Sequence, residues 1–313
     1  MMRYFIALDT GGTKSDAVLF DETGHILFQS RTKGGTPMEI GLEAVCRNTE
    51  TVLSFLSGKL PNGCIPTAIY CSIAGDRMFE EQLYPRMKPH VEAEHFRVAD
   101  DGECIITGTL GRVDGGGMVC GTGASLYIRY GDTGRHIGGW GYLIDSGGSG
   151  YTMGRAALHA VMREADGRGE KTMLTELIGA RMGVEPSRNI QAVYEGGRSY
   201  IASFAGAVFE GRKLGDPISI HIFDRTVEKL AEFTHVAARY YPGEYSIALN
   251  GGIFANFPEL TESLKTKAAP TAKLILATAP PLYGAAVEAL WDAGILETLE
   301  FRQRFLGEYE KKQ

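Results

Sequence analysis

The chain has 313 residues, of which 44% are hydrophobic and 22% charged, and its formal net charge is −6. This balance is typical of a folded globular protein and excludes a disordered, collagen-like or coiled-coil chain. A negative net charge gives no general attraction to nucleic acid or to an anionic membrane surface, so we expect neither as a partner.

The five cysteines are widely spaced and form no CxxC or Cys/His zinc pattern. We therefore expect reduced thiols and a cytoplasmic protein. The opening segment is too short for a signal-peptide core, and no apolar run is long enough to span a membrane. Glycine is frequent, with 41 residues, and the glycines form clusters that follow short apolar segments.

The apolar pattern predicts strands and helices in alternation, which indicates an α/β fold with mixed sheets. Strands are predicted, in chain order, at 4–8, 68–72, 96–99, 117–120, 246–249 and 273–276. Helices are predicted over 39–57, 151–164, 217–241 and 281–293, the last one stopped by Gly294. The charged segment 297–312 is predicted as an exposed helix or a frayed tail.

The first two glycine clusters that follow strands look like copies of one hairpin. A shift of 110 residues places Gly11 on Gly121 and Ser15 on Ser125. Each copy reads as a strand, a glycine turn, a second strand and a tight turn, at 21–24 and at 131–134. Chance agreement between two hairpins is the alternative. A duplication predicts two related domains, at 1–113, with 297–313 as an optional addition, and at 114–296.

The first turn, Asp9-Thr10-Gly11-Gly12-Thr13-Lys14, has the composition of an anion-binding loop. Glycine leaves backbone amides unshielded, and Thr13 and Lys14 add a hydroxyl and a positive charge. The Asp9 carboxylate repels phosphate but suits Mg²⁺ bound through water. An ordinary hairpin is the alternative at this position.

The second turn, Gly121-Thr122-Gly123, is weaker evidence by itself. It is not a dinucleotide fingerprint, because Leu126 stands where the third glycine would be. The segment 167–172 resembles a P-loop only superficially, and we interpret it as a surface loop.

Further motifs follow these two turns in a fixed order. They are Asp100-Asp101-Gly102, Gly138-Gly139-Trp140-Gly141 with Gly148-Ser149-Gly150-Tyr151, Asn250-Gly251-Gly252 and Pro281-Leu282-Tyr283-Gly284-Ala285-Ala286. Together with the turns they resemble the superfamily of sugar kinases, actin and Hsp70 ATPases. Within it the chain is most similar to the N-acetylglucosamine kinase branch of the BadF/BadG/BcrA/BcrD-type ATPases. The resemblance covers most of the chain, and the Gly-Gly-Trp-Gly and Gly-Ser-Gly-Tyr pair is its most specific part.

The resemblance implies two related ribonuclease H-like, actin-like ATPase domains, with mixed sheets flanked by helices and the active site in the cleft between them. It implies ATP-dependent phosphorylation of a hydroxyl of an amino sugar, with N-acetylglucosamine or glucosamine as the expected acceptor. ATP and Mg²⁺ are the implied cofactors, and we expect a homodimer. Phosphoryl transfer requires positioning, charge neutralisation and a base within reach of the nucleophile.

The resemblance also implies a role for each motif. Asp101 would be the catalytic base and Asp9 the Mg²⁺ ligand through water. The ATP phosphates would be held from opposite domains by Gly11, Gly12, Thr13, Lys14, Gly121, Thr122 and Gly123. Adenosine would lie against Asn250, Gly251 and Gly252. The sugar would contact Gly75, Ser125, Gly139, Trp140, Asp145 and Ser146.

Simpler interpretations stay open for two of these motifs. Asp100-Asp101-Gly102 also fits a strand-ending turn or a helix N-cap, and Asp100 is the neighbour that competes with Asp101 for the role of base. Trp140 also fits a plain core position.

Two departures from the family pattern affect the acceptor site. The family carries Leu-Gly-Asp-Glu-Gly-Ser where this chain has Ile144-Asp145-Ser146-Gly147-Gly148-Ser149. Ser146 and Gly147 therefore replace the two acids, and Asp145 lies one residue early. The family's sugar-binding Asn has no clear match at Gly35-Thr36-Pro37. A site that loses the groups that accept hydrogen bonds from substrate hydroxyls discriminates less well between substrates. The sequence therefore supports the nucleotide site better than the sugar site.

Two other functions stay open. Cys104 and Cys120 resemble cysteines of the ATPase activators of 2-hydroxyacyl-CoA dehydratases, which hold an iron–sulfur cluster at a dimer interface, although the Gly-Gly-Gln-Asp stretch of those activators is absent. The altered 144–149 loop also fits a sensor that binds sugar and nucleotide without turnover. The seven histidines show no ligand spacing, and we interpret all of them as structural.

Overall fold

The computed structural model describes residues 2–12, 14–61, 63–75, 77–131, 133–144 and 147–311, with the backbone alone for 77–80. Within these residues the chain alternates short strands with helices. The strands are β1 (Tyr4–Thr10), β2 (Lys14–Asp21), β3 (Ile26–Lys33), β4 (Ala68–Ile73), β5 (His95–Ala99), β6 (Gly115–Cys120), β7 (Ala124–Tyr130), β8 (Thr133–Gly138), β9 (Tyr245–Asn250) and β10 (Ala272–Leu276).

The α-helices cover most of the remaining described residues. They are α1 (Pro37–Ile40), α2 (Leu42–Ser57), α3 (Arg77–Met87), α4 (Asp101–Leu110), α5 (Gly150–Ala165), α6 (Leu174–Met182), α7 (Ile190–Ser203), α8 (Ala205–Lys213), α9 (Pro217–Ala237), α10 (Gly252–Asn256), α11 (Pro258–Lys267), α12 (Pro281–Asp292) and α13 (Leu299–Lys311). No helix in this described part of the chain is both long and apolar enough to cross a membrane.

The first sheet has the strand order β3-β2-β1-β4-β5. Strands β1, β2 and β3 pair antiparallel, whereas β1, β4 and β5 pair parallel. Asp9 lies opposite Ser72, and Ser72 lies opposite Ala99. Because parallel strands end at the same edge, this register brings Asp9 and the residues that follow Ala99 to one edge of the sheet.

The second sheet has the order β10-β9-β6-β7-β8. If the strands of each sheet are numbered from one in chain order, both sheets have the order third, second, first, fourth, fifth. In the second sheet, β6 is the first strand. The two mixed sheets flanked by helices confirm the predicted fold class, and the shared strand order is what a duplication would produce. The turn of the second hairpin is shorter than the predicted 131–134, because Thr133 and Gly134 already belong to β8.

The chain divides into two compact units. The first comprises Met1–Gly117, Tyr127–His136 and Ala277–Gln313, and the second comprises Met118–Leu126 and Ile137–Leu276. The C-terminal helices α12 and α13 therefore belong to the first unit, together with β1 to β5. The domain assignment, with its boundary near residue 113, stays a prediction.

The first sheet is covered by helices on both faces. One face packs against α2 and α3 through Val52, Leu53 and Met87. The other face packs against α4, α12 and α13, with Phe5, Phe20 and their neighbours in an aromatic cluster. Burial of both faces explains why these strands read as short continuous apolar runs.

The C-terminal segment forms a helix, which was one of the two predicted alternatives, but the expectation that this helix is exposed is wrong. In α13, Phe301, Phe305 and Tyr309 are buried in the core of the first unit, and the Phe305 ring meets the edge of Phe20 at 5.4 Å between centroids. These three aromatic residues recur every four positions, so they share one helix face. The charged residues between them dominate the composition of the helix.

Other boundaries differ from the expected ones for local reasons. The predicted helix 39–57 is broken at Gly41, whose φ of 83° is outside the helical region, so it forms α1 and α2. Helix α9 ends at Ala237, before the predicted residue 241. Helices α6, α7 and α8, between residues 174 and 213, were not predicted. The segment 167–172 is a loop, as expected.

Helices α4 and α12 cross at a pair of glycines, Gly108 and Gly284. A Cβ on Gly284 would overlap the carbonyl of Cys104, and a Cβ on Gly108 would lie 3.3 Å from the Gly284 amide. The late Pro281-to-Ala286 motif thus has a packing role, because the glycine lets the two backbones approach closely.

We expect Phe305→Ala to lower the free energy of unfolding by about 3–5 kcal/mol, since it opens a cavity in an aromatic core. Gln303→Ala, at an exposed position of the same helix, is the control and should change the free energy by no more than about 0.5 kcal/mol. Urea denaturation measures both variants. Equal stability of the two variants would mean that α13 does not belong to the core.

Candidate active site

The first glycine turn connects β1 to β2 at the edge of the first sheet. The Gly11 amide donates to the Lys14 carbonyl at 3.0 Å, and the Gly35 amide donates to the Gly11 carbonyl at 3.0 Å. A Cβ on Gly34 would overlap the Gly11 carbonyl and lie 2.5 Å from the Lys14 amide. Gly34 therefore lets a second backbone segment support the turn, a role that the sequence analysis did not assign. Thr13 lies outside the described residues.

The second glycine turn, Gly121–Gly123, connects β6 to β7 in the second unit. The Gly121 amide donates to the Gly123 carbonyl at 2.9 Å. The first amides of α5 hold the turn in place. The Gly150 amide donates to the Gly121 carbonyl at 2.8 Å, and the Tyr151 amide donates to the Thr122 carbonyl at 3.2 Å. Ser149, which caps α5, accepts from the Thr152 amide at 3.2 Å. The Gly-Ser-Gly-Tyr motif thus holds the second turn in place.

Neither fold nor backbone conformation requires glycine at three positions of these turns. Gly11, Gly121 and Gly123 do not have positive φ, and a Cβ at each would meet nothing closer than 3.8 Å. The absence of side chains at these positions leaves room for a group outside the protein to approach the backbone. This observation fits the phosphates of ATP, the group that the turns are predicted to hold.

Lys14 is engaged by a protein carboxylate. Its Nζ lies 2.9 Å from Asp16 Oδ2, and Arg31 Nε lies 2.5 Å from Asp16 Oδ1. Burial opposes ionisation of Asp16, but the hydrogen bonds from Arg31 and Lys14 outweigh it and hold the pKa of Asp16 below its usual range. The Lys14 side chain is 59% exposed, so the ion pair does not bury it.

A cluster of three carboxyl groups occupies the carboxyl edge of the first sheet. Asp9 accepts a hydrogen bond from Ser72 Oγ at 3.0 Å. Asp100 follows β5 and is the N-cap of α4, where its Oδ1 accepts from the Gly102 amide at 2.8 Å. Asp101 is the first residue of that helix. The N-cap interpretation of this motif thus holds for Asp100 and leaves Asp101 for other roles.

Burial and mutual repulsion perturb these acids. Burial, then the neighbouring Asp100 carboxylate, raises the pKa of Asp101 well above its usual range, and Asp9 acts in the same direction. Burial raises the pKa of Asp9 to about 6, and Asp16 adds to the rise, while the Ser72 hydrogen bond and Lys14 oppose it. Such shifts bring carboxyl groups toward the range of proton-transfer groups.

His136 is a member of this cluster that sequence reasoning missed. Its Nε2 lies 2.5 Å from Asp100 Oδ2, and its ring makes a T-shaped contact with Tyr127, with 5.5 Å between centroids. His136 and its two partners, Asp100 and Tyr127, all belong to the first unit. All histidines were interpreted as structural because none shows ligand spacing, and the partner of His136 lies 36 residues earlier in the chain, a contact that no local pattern reveals.

The predicted adenosine motif stands at the end of β9 and the start of α10. A Cβ on Gly251 would lie 2.5 Å from the Cys120 carbonyl, and its φ is 109°. Glycine at 251 is therefore explained by close packing against the end of β6. Gly252 is exposed and Asn250 is half-buried, so both are accessible to a ligand.

The predicted sugar contacts are distributed over both units. Gly75 follows β4 in the first unit, where the preceding Ala74 amide donates to the Thr10 carbonyl at 2.8 Å. In the second unit Ser125 lies half-buried on β7, and Gly139 precedes a Trp140 side chain that is 61% exposed. The core interpretation of Trp140 is therefore wrong. Asp145 and Ser146 lie outside the described residues.

The two cysteines that suggested an iron–sulfur cluster are fully buried. Burial raises the pKa of Cys120 to about 12 and that of Cys104 well above the ordinary thiol value. The Cys120 thiol donates to the Gly148 carbonyl at 3.2 Å. Cluster ligands are thiolates, so this environment opposes the chemistry that the activator interpretation requires.

Comparisons with known proteins identify the family of this chain and several similar kinases. The sequence model of the BadF/BadG/BcrA/BcrD ATPase family matches residues 6–289. The chain is 26% identical to an N-acetyl-D-glucosamine kinase of Dictyostelium discoideum, over 91% of this chain and 97% of that one. It is also 26% identical to an N-acetylmuramic acid/N-acetylglucosamine kinase of Clostridium acetobutylicum, over 73% and 77%.

A solved structure shares the fold. A candidate N-acetylglucosamine kinase of Chromobacterium violaceum superimposes with a TM-score of 0.71 at 20% identity, covering 91% of this chain and 98% of that one.

We expect Gly123→Val to weaken the binding of a non-hydrolysable ATP analogue by at least about tenfold, because a branched side chain fills the space left for phosphate. The fold should tolerate it, since this position is open. Gly243→Val, at another open glycine of the second unit, is the control. Calorimetric titration measures affinity and a thermal melt checks folding; unchanged affinity would refute the phosphate assignment.

We expect Asp9→Asn to raise the melting temperature at pH 7.5, by about 3 °C. In the folded protein the pKa of Asp9 is raised from 3.8 to about 6. The folded state therefore binds the Asp9 proton more tightly than the unfolded state, and the free energy of unfolding falls as the pH rises from 3.8 through about 6. Asparagine has no charge to bury, so it avoids this loss of stability, and its amide oxygen still accepts the hydrogen bond from Ser72. Thermal melts in EDTA should show the difference shrinking toward pH 5. A destabilised variant at pH 7.5 would contradict the assigned burial.

Proposed function

The chain belongs to the BadF/BadG/BcrA/BcrD ATPase family, and on that premise we propose that it is an ATP-dependent carbohydrate kinase. The observation that carries the proposal is the carboxyl cluster at the edge of the first sheet, where the Asp9 charge acts on Asp101 and β1 leads from Asp9 into a glycine turn that is open at Gly11. A base, a metal-binding carboxylate and a phosphate loop are the parts that phosphoryl transfer needs.

Asp101 is the group that we assign to accept the proton of the sugar hydroxyl. Both oxygens of Asp100 are already bound, one to the Gly102 amide and one to His136, so Asp100 is occupied as a cap. The raised pKa of Asp101 increases its affinity for a proton. A carboxylate that binds a proton more tightly is a stronger general base once it is ionised.

The other predicted site residues bind and orient MgATP. When bound, MgATP supplies the phosphoryl group, and the metal neutralises charge on the phosphates. Asp9 would hold the metal through water, and a cation there would favour the ionised form of this half-buried acid. Gly11, Gly12 and Lys14 in the first unit, and Gly121, Thr122 and Gly123 in the second, would contact phosphate. The expectation that both turns hold one triphosphate stays a prediction.

We assign an amino sugar, such as N-acetylglucosamine or glucosamine, as the acceptor. The named activities of the two relatives support this choice, as does the exposed Trp140 side chain, since an aromatic face suits the apolar face of a sugar ring. The departures at 144–149 argue for testing acceptors that differ in the acetamido group. Homodimerisation and a cytoplasmic location stay predictions.

A coupled assay of ADP release over a panel of sugars tests the function. The panel includes N-acetylglucosamine, glucosamine, N-acetylmuramic acid, N-acetylmannosamine and glucose, each with a no-sugar control. Sugar-dependent ADP release with one preferred amino sugar is the expected result. Tight ATP binding with no turnover on any sugar would favour the sensor instead.

We expect Asp101→Asn to lower kcat by roughly a thousandfold or more while ATP affinity is retained, because the amide cannot accept the proton. Asp224→Asn, at an exposed position of α9, is the matched control and should keep full activity. Steady-state kinetics and calorimetric titration with an ATP analogue separate the two effects. Near-normal turnover of the Asp101 variant would show that another group is the base.

A further inference from the structure

The Asp100–His136 pair stands beside the proposed base and has no role in the function as described so far. The Asp100 carboxylate uses one oxygen to cap α4 through the Gly102 amide, at 2.8 Å, and the other to bind His136 Nε2, at 2.5 Å. The His136 side chain is 17% exposed and that of Asp100 only 1% exposed. A short contact between nearly buried polar groups is expensive to leave unmade, so the orientation of Asp100 is strongly fixed.

His136 is itself held by packing. Its ring lies edge-on against Tyr127, and the Tyr127 hydroxyl donates to Glu103 Oε1 of α4 at 3.1 Å. A Cβ on Gly102 would overlap the Tyr127 side chain. Residues of β7 and β8 are therefore packed directly on the first turn of α4, where the proposed base begins the helix.

Asp100 has a competing partner in Asp101. The two carboxyl groups are adjacent in the chain, and the Asp100 carboxylate raises the pKa of Asp101. The hydrogen bond from His136 occupies Asp100 from the side of β8. Removing it would free one Asp100 oxygen to bind Asp101 and turn the base away from its substrate.

We propose that His136 is a positioning residue for Asp101 that acts through Asp100. The inference rests on the proposed kinase function. His136 holds the Asp100 carboxylate toward β8, and the capped first turn of α4 then presents the Asp101 carboxyl to the acceptor hydroxyl. The histidine touches no substrate in this role, and its effect is on orientation rather than on binding.

The test compares His136→Ala with His136→Gln, whose side-chain amide keeps a donor near the position of Nε2. His136→Ala should lower kcat about 10–100-fold, the range for groups that orient a functional side chain from behind, with KM for ATP and sugar within about twofold of the parent chain. His136→Gln should recover most of kcat. His221→Ala, an exposed histidine of α9, is the control and should behave as the parent chain.

A second measurement does not depend on activity. The ¹³C resonance of the Asp101 carboxyl, assigned by its loss in Asp101→Asn, should move in His136→Ala and return toward its original position in His136→Gln. Thermal melts confirm that each variant is folded. Full kcat in His136→Ala, no recovery in a folded His136→Gln, or an unmoved resonance would each overturn the inference. If the parent chain phosphorylates no sugar, the proposed function fails, and the resonance alone decides the role of His136.

Discussion

Burial of carboxyl groups beside other acids, at one edge of the first sheet, is the constraint that the first unit has to satisfy. Asp9 and Asp101 are both shifted toward the protonated form by burial and by neighbouring acids, so the cluster opposes folding at neutral pH. The aromatic core beneath the sheet, the Ser72 hydrogen bond and the capped first turn of α4 offset that cost. A protein tolerates such strain where the strained groups have a function to perform.

The glycines of this chain serve two separate purposes. Gly34, Gly251 and Gly284 are needed by the protein, because a Cβ at each would collide with neighbouring backbone. At Gly11, Gly121 and Gly123 the protein has no such need, because a Cβ at each would meet no close neighbour. The second set falls on corresponding turns of two sheets with the same strand order, so the repeated topology supplies the same kind of loop twice.

The strands and glycine turns were predictable because their signals are local, namely short apolar runs that end in glycine. The strand order was not, since pairing depends on contacts distant in sequence. Helix α13 was misjudged because its charged residues outnumber Phe301, Phe305 and Tyr309. His136 was missed since only the folded backbone brings it to Asp100. Residue roles came from the family resemblance, and the structure adds which acid caps a helix and which is available.

The position of α12 and α13 has a consequence for how the protein is made. The sheet β1 to β5 is synthesised first, but one of its faces is covered by helices from the last part of the chain. As the chain leaves the ribosome, Phe5 and Phe20 stay without these partners until the residues of α12 and α13 have also emerged. A chain truncated before residue 277 would therefore leave apolar surface of this sheet exposed, and such surface promotes aggregation.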